Sequence, residues 1–189
     1  MTEQNFALFD TAIGRCGIAW NARGLIGVQL PHDDEAATRR RMRQRYPRGR
    51  EAPPPASVRQ AIDGIVALLR GEARDLTGIV IDNSDTPAFN AQVYAITRTV
   101  PPGATITYGE IAERLGDKML ARDVGQALGD NPCPLVMPCH RVLAAGGKPG
   151  GFSASGGVVT KLRLLSIEGA TPGGPTLFDH LPLVARRPR

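Results

Sequence analysis

Thr107-Tyr-Gly-Glu-Ile-Ala-Glu-Arg-Leu-Gly-Asp-Lys-Met-Leu-Ala-Arg-Asp-Val-Gly-Gln-Ala-Leu-Gly129 carries the plan of the C-terminal half of this chain. Thr107 with Glu110 three residues later is a capping box, and Ile111, Ala112 and Leu115 then recur at helical spacing. Gly116-Asp117 breaks that helix, and a second is expected from about Met119 to Gly129, so the pair reads as a helix-turn-helix. In the second helix Leu120, Val124 and Leu128 share the side that must face a core. Ala121, Gly125 and Gly129 share a neighbouring side with nothing larger than a methyl group on it, flanked by Arg122 and Gln126. A glycine costs a helix interior roughly 1 kcal/mol relative to alanine, so two on one face need a reason. Two reasons are open. One is close packing against another helix; the other is a stripped face that lets a helix about 10 Å wide enter a widened minor groove about 6 Å wide, with Arg122 filling the place of an extruded base.

Upstream, β-rich runs at 6–9, 13–20 and 25–30 are separated by Asp10-Thr-Ala and Asn21-Ala-Arg-Gly24, which predicts an antiparallel meander. A helix is expected over 33–45. Pro53-Pro54-Pro55 then breaks the chain before Ser57, which is expected to cap a helix with Val58, Ile62, Ile65 and Leu69 on one face. Residues 76–81 read as a further strand. After Pro87 a helix places Phe89, Val93 and Ile96 on one side, and Pro101-Pro102-Gly103 ends it. The expected class is α+β: an N-terminal α/β domain with a small antiparallel sheet over 1–82, a mostly helical, winged-helix-like domain over 87–171, and a tail over 172–189.

The composition is that of an ordinary globular protein, 42% hydrophobic and 22% charged, and no run approaches the roughly 18 apolar residues of a membrane span. Met1-Thr-Glu-Gln-Asn5 lacks the basic-then-apolar order of a secretory signal, so a cytoplasmic location is expected. A net charge of +5 suits a polyanionic partner. Seven arginines lie between Arg39 and Arg50 behind Asp33, Asp34 and Glu35, an order that fits a solvated surface helix or a direct DNA contact. Cys16, Cys133 and Cys139 form no C-x-x-C pair and are odd in number. With only His32, His140 and His180 beside them they argue against a disulfide framework or a structural zinc, and no cofactor is expected.

Cys133-Pro-Leu-Val-Met-Pro-Cys-His-Arg-Val-Leu143 follows Asn131-Pro132. Pro134 and Pro138 stiffen it, and Leu135 to Met137 make it apolar. Cys139 is thereby fixed with His140 beside it. A thiol reacts as its thiolate, which an imidazole oriented by a carboxylate can generate, although adjacent side chains of an extended chain point apart and a water relay would be needed.

Met137-Pro-Cys-His-Arg-Val-Leu143 resembles, at every position, the active-site signature of the O6-alkylguanine-DNA alkyltransferases, also called methylated-DNA-protein-cysteine methyltransferases. The likeness runs from Phe89 to about Ala170 and includes Tyr108-Gly-Glu-Ile-Ala112, Ala121-Arg122, Asn131-Pro132, Lys161 and Glu168-Gly169; residues 1–82 resemble the family's ribonuclease-H-like N-terminal domain only in pattern and length. The resemblance implies single-turnover repair of double-stranded DNA carrying O6-alkylguanine, and also O4-alkylthymine, by a monomer. The base would be flipped from the minor groove and its alkyl group moved irreversibly to Cys139. It implies that His140 takes the thiol proton through a water, that Glu168 orients His140, and that Asn131 holds the turn before the cysteine. Tyr108 would protonate the departing guanine, and Arg122, Ala121, Gly125, Gln126 and Asn90 would meet DNA. Met137, Pro138, Val142, Phe152 and Ser153 would shape the pocket. Phe152 departs from the tyrosine of better-known members. A helix-turn-helix regulator would want long polar side chains on the outer face of the second helix. A noncatalytic lesion binder would lack Cys139, and a cysteine hydrolase would need a distant histidine and an oxyanion hole.

Overall fold

Period-two alternation in the first strands decides which helix covers which side of the sheet. In the computed structural model, which describes residues 3–170, β1 (Asn5–Thr11), β2 (Gly14–Asn21) and β3 (Gly24–Gln29) form the antiparallel meander. Phe6 and Ala19 face one way, against Met42 of α1 (Glu35–Arg45) and Tyr46. Ala7, Phe9, Cys16, Ile18 and Trp20 face the other way, against Val58, Ala61 and Ile65 of α2 (Ala56–Leu69). The second cluster runs on without interruption through Val93, Ile111, Val124, Leu135 and Met137, so one apolar interior joins the strands to the cysteine segment. Each fully buried large aliphatic side chain there contributes about 1.5–3 kcal/mol.

Three sequence expectations need correction. Ser57 is not the cap of α2: Pro55 stands at that position with no side-chain hydrogen bond, because its own fixed φ already turns the chain into the helix. A two-residue strand β4 (Arg50–Glu51), unforeseen within the arginine-rich stretch, pairs in parallel with β1, so the sheet has the order β3-β2-β1-β4 and is mixed. Residues 76–81 are not a strand. Asp75 accepts from the Thr77 amide in a turn, and the Arg98 guanidinium takes the carbonyls of Thr77 (2.6 Å) and Ile79 (2.9 Å), leaving Ile81 alone to bridge to Leu25.

The helix-turn-helix forms as its capping box requires. Thr107 N donates to Glu110 Oε2 (2.7 Å) and Glu110 N donates to Thr107 Oγ1 (3.1 Å) at the start of α4 (Tyr108–Arg114). A single 3-10 turn (Lys118–Leu120) leads into α5 (Ala121–Gly129), and α3 (Ala88–Arg98) packs on α5 through Tyr94, whose hydroxyl donates to Ala127 O at 2.8 Å. β5 (Ile106–Thr107) pairs in parallel with β6 (Val142–Leu143), which fastens the first turn of α4 to the end of the cysteine segment. α6 (Gly157–Ile167) closes with Glu168 at its C-cap. The sheet reaches the same segment from the other side: Val28 N donates to Pro132 O (2.9 Å), as does Arg45 Nη2 (3.2 Å). That approach needs Gly27, since a side chain there would meet the Tyr46 hydroxyl, which donates to Ile26 O. The tail over 172–189, with its arginines and His180, lies outside the described residues. No helix among the described residues is long and apolar enough to cross a membrane.

Candidate active site

Asn131, just past the end of α5, closes the loop that carries the reactive cysteine. Its Oδ1 accepts from Cys133 N (2.9 Å), its Nδ2 donates to Met137 O (2.7 Å), and its amide also hydrogen-bonds the Cys139 thiol. Inside that loop Leu135 takes φ of 75°, a left-handed conformation that costs an L-residue roughly 1–2 kcal/mol. Burial of its side chain to 1% exposure offsets that cost. Cys139–Arg141 then makes one 3-10 turn, where the two prolines suggested extended chain, so Cys139 and His140 diverge by about 120° rather than pointing to opposite faces.

Behind the thiol lies a buried charge network. His140 is fully buried and its Nε2 lies 2.9 Å from Glu168 Oε1. Arg141 grips the same carboxylate with two hydrogen bonds of 2.8 Å, from Nε to Oε2 and from Nη2 to Oε1, and its Nη1 donates to Val100 O at 2.6 Å. Burial works against the charge on Glu168, but the bonds from His140 and Arg141 overcome it and hold the carboxyl at about 2. Burial also lowers the His140 pKa, more than Glu168 raises it, so the imidazole is neutral. A neutral ring beside an ionised carboxylate carries its hydrogen on Nε2. Its Nδ1 is then a free lone pair, and that atom has no hydrogen-bond partner among the described residues.

Burial raises the Cys139 pKa, while the Asn131 hydrogen bond and the nearby Lys161 ammonium pull it back without cancelling the effect. At rest this group is a thiol that needs a base. Lys161 is itself fully buried, donating from Nζ to the carbonyls of Val142 (2.5 Å) and Gly151 (3.2 Å), with its nitrogen 5.6 Å from the centre of the Tyr108 ring. Burial brings its pKa down to about 8. Cys16 and Cys133 differ from Cys139 in having no exposed surface at all, and burial pushes both thiols to about 12.

Cys139, 8% exposed, forms part of the wall of a cavity of about 430 Å³ shared with Tyr108, Gly125, Leu128, Gly129, Gly151, Phe152 and Ser153. The bare stripe of α5 is therefore one side of the cavity. No heavy atom comes within 4 Å of where a Gly129 Cβ would stand, and at Gly125 only the Tyr108 ring does, at 3.9 Å, which removes helix packing as the reason for the glycines. Ser153 Oγ donates to Gly129 O (3.1 Å) and latches the loop to the end of α5. Gly150 has φ of 68° and lies so near Tyr108 that a Cβ would stand 3.0 Å from its ring, so the loop can fold over the tyrosine only with glycine there.

The structure thus gathers Cys139, His140, Glu168, Asn131, Tyr108, Gly125, Phe152 and Ser153, with Arg122 and Gln126 exposed beside the stripe and Ala121 half-buried in it. Arg122 has no hydrogen bond or ion pair among the described residues. Met137 and Val142 are fully buried and do not line the cavity. Pro138 lines a separate cleft with Arg98 and Arg141, and Asn90 lines another with Tyr94 and Asp130. Sequence reasoning passed over Arg141. The available signal was an arginine inside an otherwise apolar run, which can be buried only against a carboxylate.

Comparison with known proteins follows this geometry closely. Residues 88–170 match the family described as 6-O-methylguanine DNA methyltransferase, DNA binding domain. A methylated-DNA–protein-cysteine methyltransferase of Methanothermobacter thermautotrophicus is 36% identical over 124 residues, 66% of this chain and 68% of that protein. The crystal structure of the Mycobacterium tuberculosis O6-methylguanine methyltransferase superposes with a TM-score of 0.70 at 30% identity, covering 93% of this chain and 99% of that one. The same organism's protein in complex with DNA gives 0.70 at 29% identity, covering 87% and 92%.

Proposed function

This chain belongs to the 6-O-methylguanine DNA methyltransferase family, and on that premise we propose that it repairs duplex DNA by moving the alkyl group of O6-alkylguanine, and of O4-alkylthymine, onto Cys139 in a single turnover. The observation that carries the reading is the position of Cys139. It is shared between a cavity roofed by the stripped face of α5 and a turn backed by the His140–Glu168 pair.

A base of the duplex can enter that cavity only if it leaves the stack, and an alkylated guanine pairs poorly, so flipping it costs less than the usual few kcal/mol. Arg122, exposed on the side of α5 and without a partner among the described residues, fills the gap. The thiol gives its proton through a water to His140 Nδ1, and Glu168 stabilises the imidazolium that results. Sulfur attacks the alkyl carbon, a C–S bond forms as the C–O bond breaks, and the electron pair passes into the base. Tyr108 donates a proton to the base so that neutral guanine departs. The thioether that remains is not hydrolysed, so one molecule serves one lesion. All these groups come from one chain, which supports action as a monomer.

Substituting Cys139→Ala is expected to abolish transfer from a duplex containing O6-methylguanine while leaving duplex binding within a few-fold, measured by fluorescence anisotropy. Residual transfer in that variant would contradict the assignment of the acceptor.

A further inference from the structure

Four of the seven arginines of the 39–50 stretch, Arg39, Arg43, Arg45 and Arg48, have partners. Arg39 pairs with Glu35 and Glu51, Arg43 lies 3.9 Å from Glu51, and Arg45 is spent on the carbonyls of Val28 and Pro132. Arg40 and Arg41 are different: both are exposed, and neither has a hydrogen bond or ion pair among the described residues. With Ala37 and Gln44 they repeat at helical spacing on one face of α1, opposite the Thr38–Met42 side that is buried on the sheet. That face lines a cleft of about 530 Å³ whose far wall is the cysteine site, including Cys139, Phe152 and Ser153. Cys139, Gly129, Phe152 and Ser153 belong to the wall of both this cleft and the base cavity, so the two spaces adjoin there. The cleft also carries Arg45 and His32, against Asp33 and Asp130, which leaves cations in excess.

A nucleotide whose base enters the cavity keeps a phosphate on either side of its sugar, and those phosphates must lie outside the mouth, next to whatever borders it. Two exposed guanidinium groups, neither with an ion pair among the described residues, border it here, and guanidinium forks suit phosphate oxygens. We propose that Arg40 and Arg41 of α1 hold backbone phosphates beside the extruded nucleotide, making the N-terminal half a second DNA-binding surface. This rests on the repair reading above.

The test uses the full chain with Arg40→Ala and Arg41→Ala together. Affinity for a duplex containing O6-methylguanine is measured by anisotropy over a range of salt, and methyl transfer from the free base O6-methylguanine, which has no phosphate, is measured alongside. Losing two phosphate contacts is expected to weaken duplex binding at low salt at least tenfold and to reduce the log–log salt slope by about two. Transfer from the free base is expected to persist, which also shows that the variant is folded. Removing the same charge at Arg70 and Arg74, which line none of this cleft, is expected to leave the slope unchanged. An unaltered slope in the Arg40/Arg41 variant, or an equal drop in the Arg70/Arg74 variant, overturns the proposal. Failure of the unsubstituted protein to transfer from either source overturns the repair reading, and this proposal with it.

Discussion

Before residue 82 the buried polar residues are Gln29 and Thr38, and the charged groups of α1 and the sheet meet one another at the surface. After residue 88 the interior itself holds His140, Arg141 and Lys161, with the Glu168 side chain only 2% exposed. The first half obeys the rule that charges stay in water. The second half breaks it at four neighbouring positions, each bonded to another of the four or to a backbone carbonyl, with His140 Nδ1 left without a partner among the described residues. Buried ionic groups are a poor route to stability compared with apolar packing, so their concentration around Cys139 marks where chemistry is done.

Glu168 is where the buried network is most vulnerable. Glu168→Ala leaves Arg141 buried without its carboxylate and is expected to cost about 3–5 kcal/mol in denaturant unfolding, together with most of the transfer rate. A loss under about 1 kcal/mol would mean that the network is not closed in solution.

Acid probes the same network. The folded Glu168 carboxyl titrates at about 2 against an ordinary 4.5, so its contribution is whole above pH 4.5 and is lost as pH falls toward 2. His140, lowered from 6.5, takes up its proton at higher pH in the unfolded chain than in the folded one, so stability also falls as pH drops below about 6.5. Both act in one direction. Stability measured from pH 7 downward is expected to decline throughout, and the limb below pH 4.5 should flatten in Glu168→Ala.

A methylene removed from the apolar half has a smaller and pH-independent effect. Ile65→Val is expected to cost about 0.5–1.5 kcal/mol with an unchanged pH profile and unchanged transfer. The smallest effect sharpens the contrast between stability and function. Gly129→Ala meets open space and is expected to stabilise by about 0.4–1 kcal/mol in thermal unfolding while weakening binding of the damaged duplex, because the added methyl stands in the wall of the base cavity.

What could be read from the chain depended on how local the signal was. The capping box at Thr107 and Glu110, the bare stripe on α5 and the alternation in β1 and β2 are set by neighbours a few residues apart, and all three formed as expected. The stretch 76–81 misled because its strand-like residues are claimed by Arg98, a residue from another helix. The same limit applies at the site. The pairing of His140 with Glu168 came into view through the resemblance to a family, whereas the grip of Arg141 on Glu168, 27 residues away, and the anchoring of the cysteine loop by Val28 and Arg45 depend on tertiary packing that no local pattern encodes.

Mass spectrometry of the protein after exposure to excess duplex carrying O6-methylguanine reads the acceptor residue and the stoichiometry together. Permanent transfer to Cys139 requires that the peptide containing it gain the mass of one methyl group, that Cys16 and Cys133 stay unmodified, and that repair stop at one lesion per molecule. Repair of several lesions by one molecule, or a methyl group on any other residue, would contradict it.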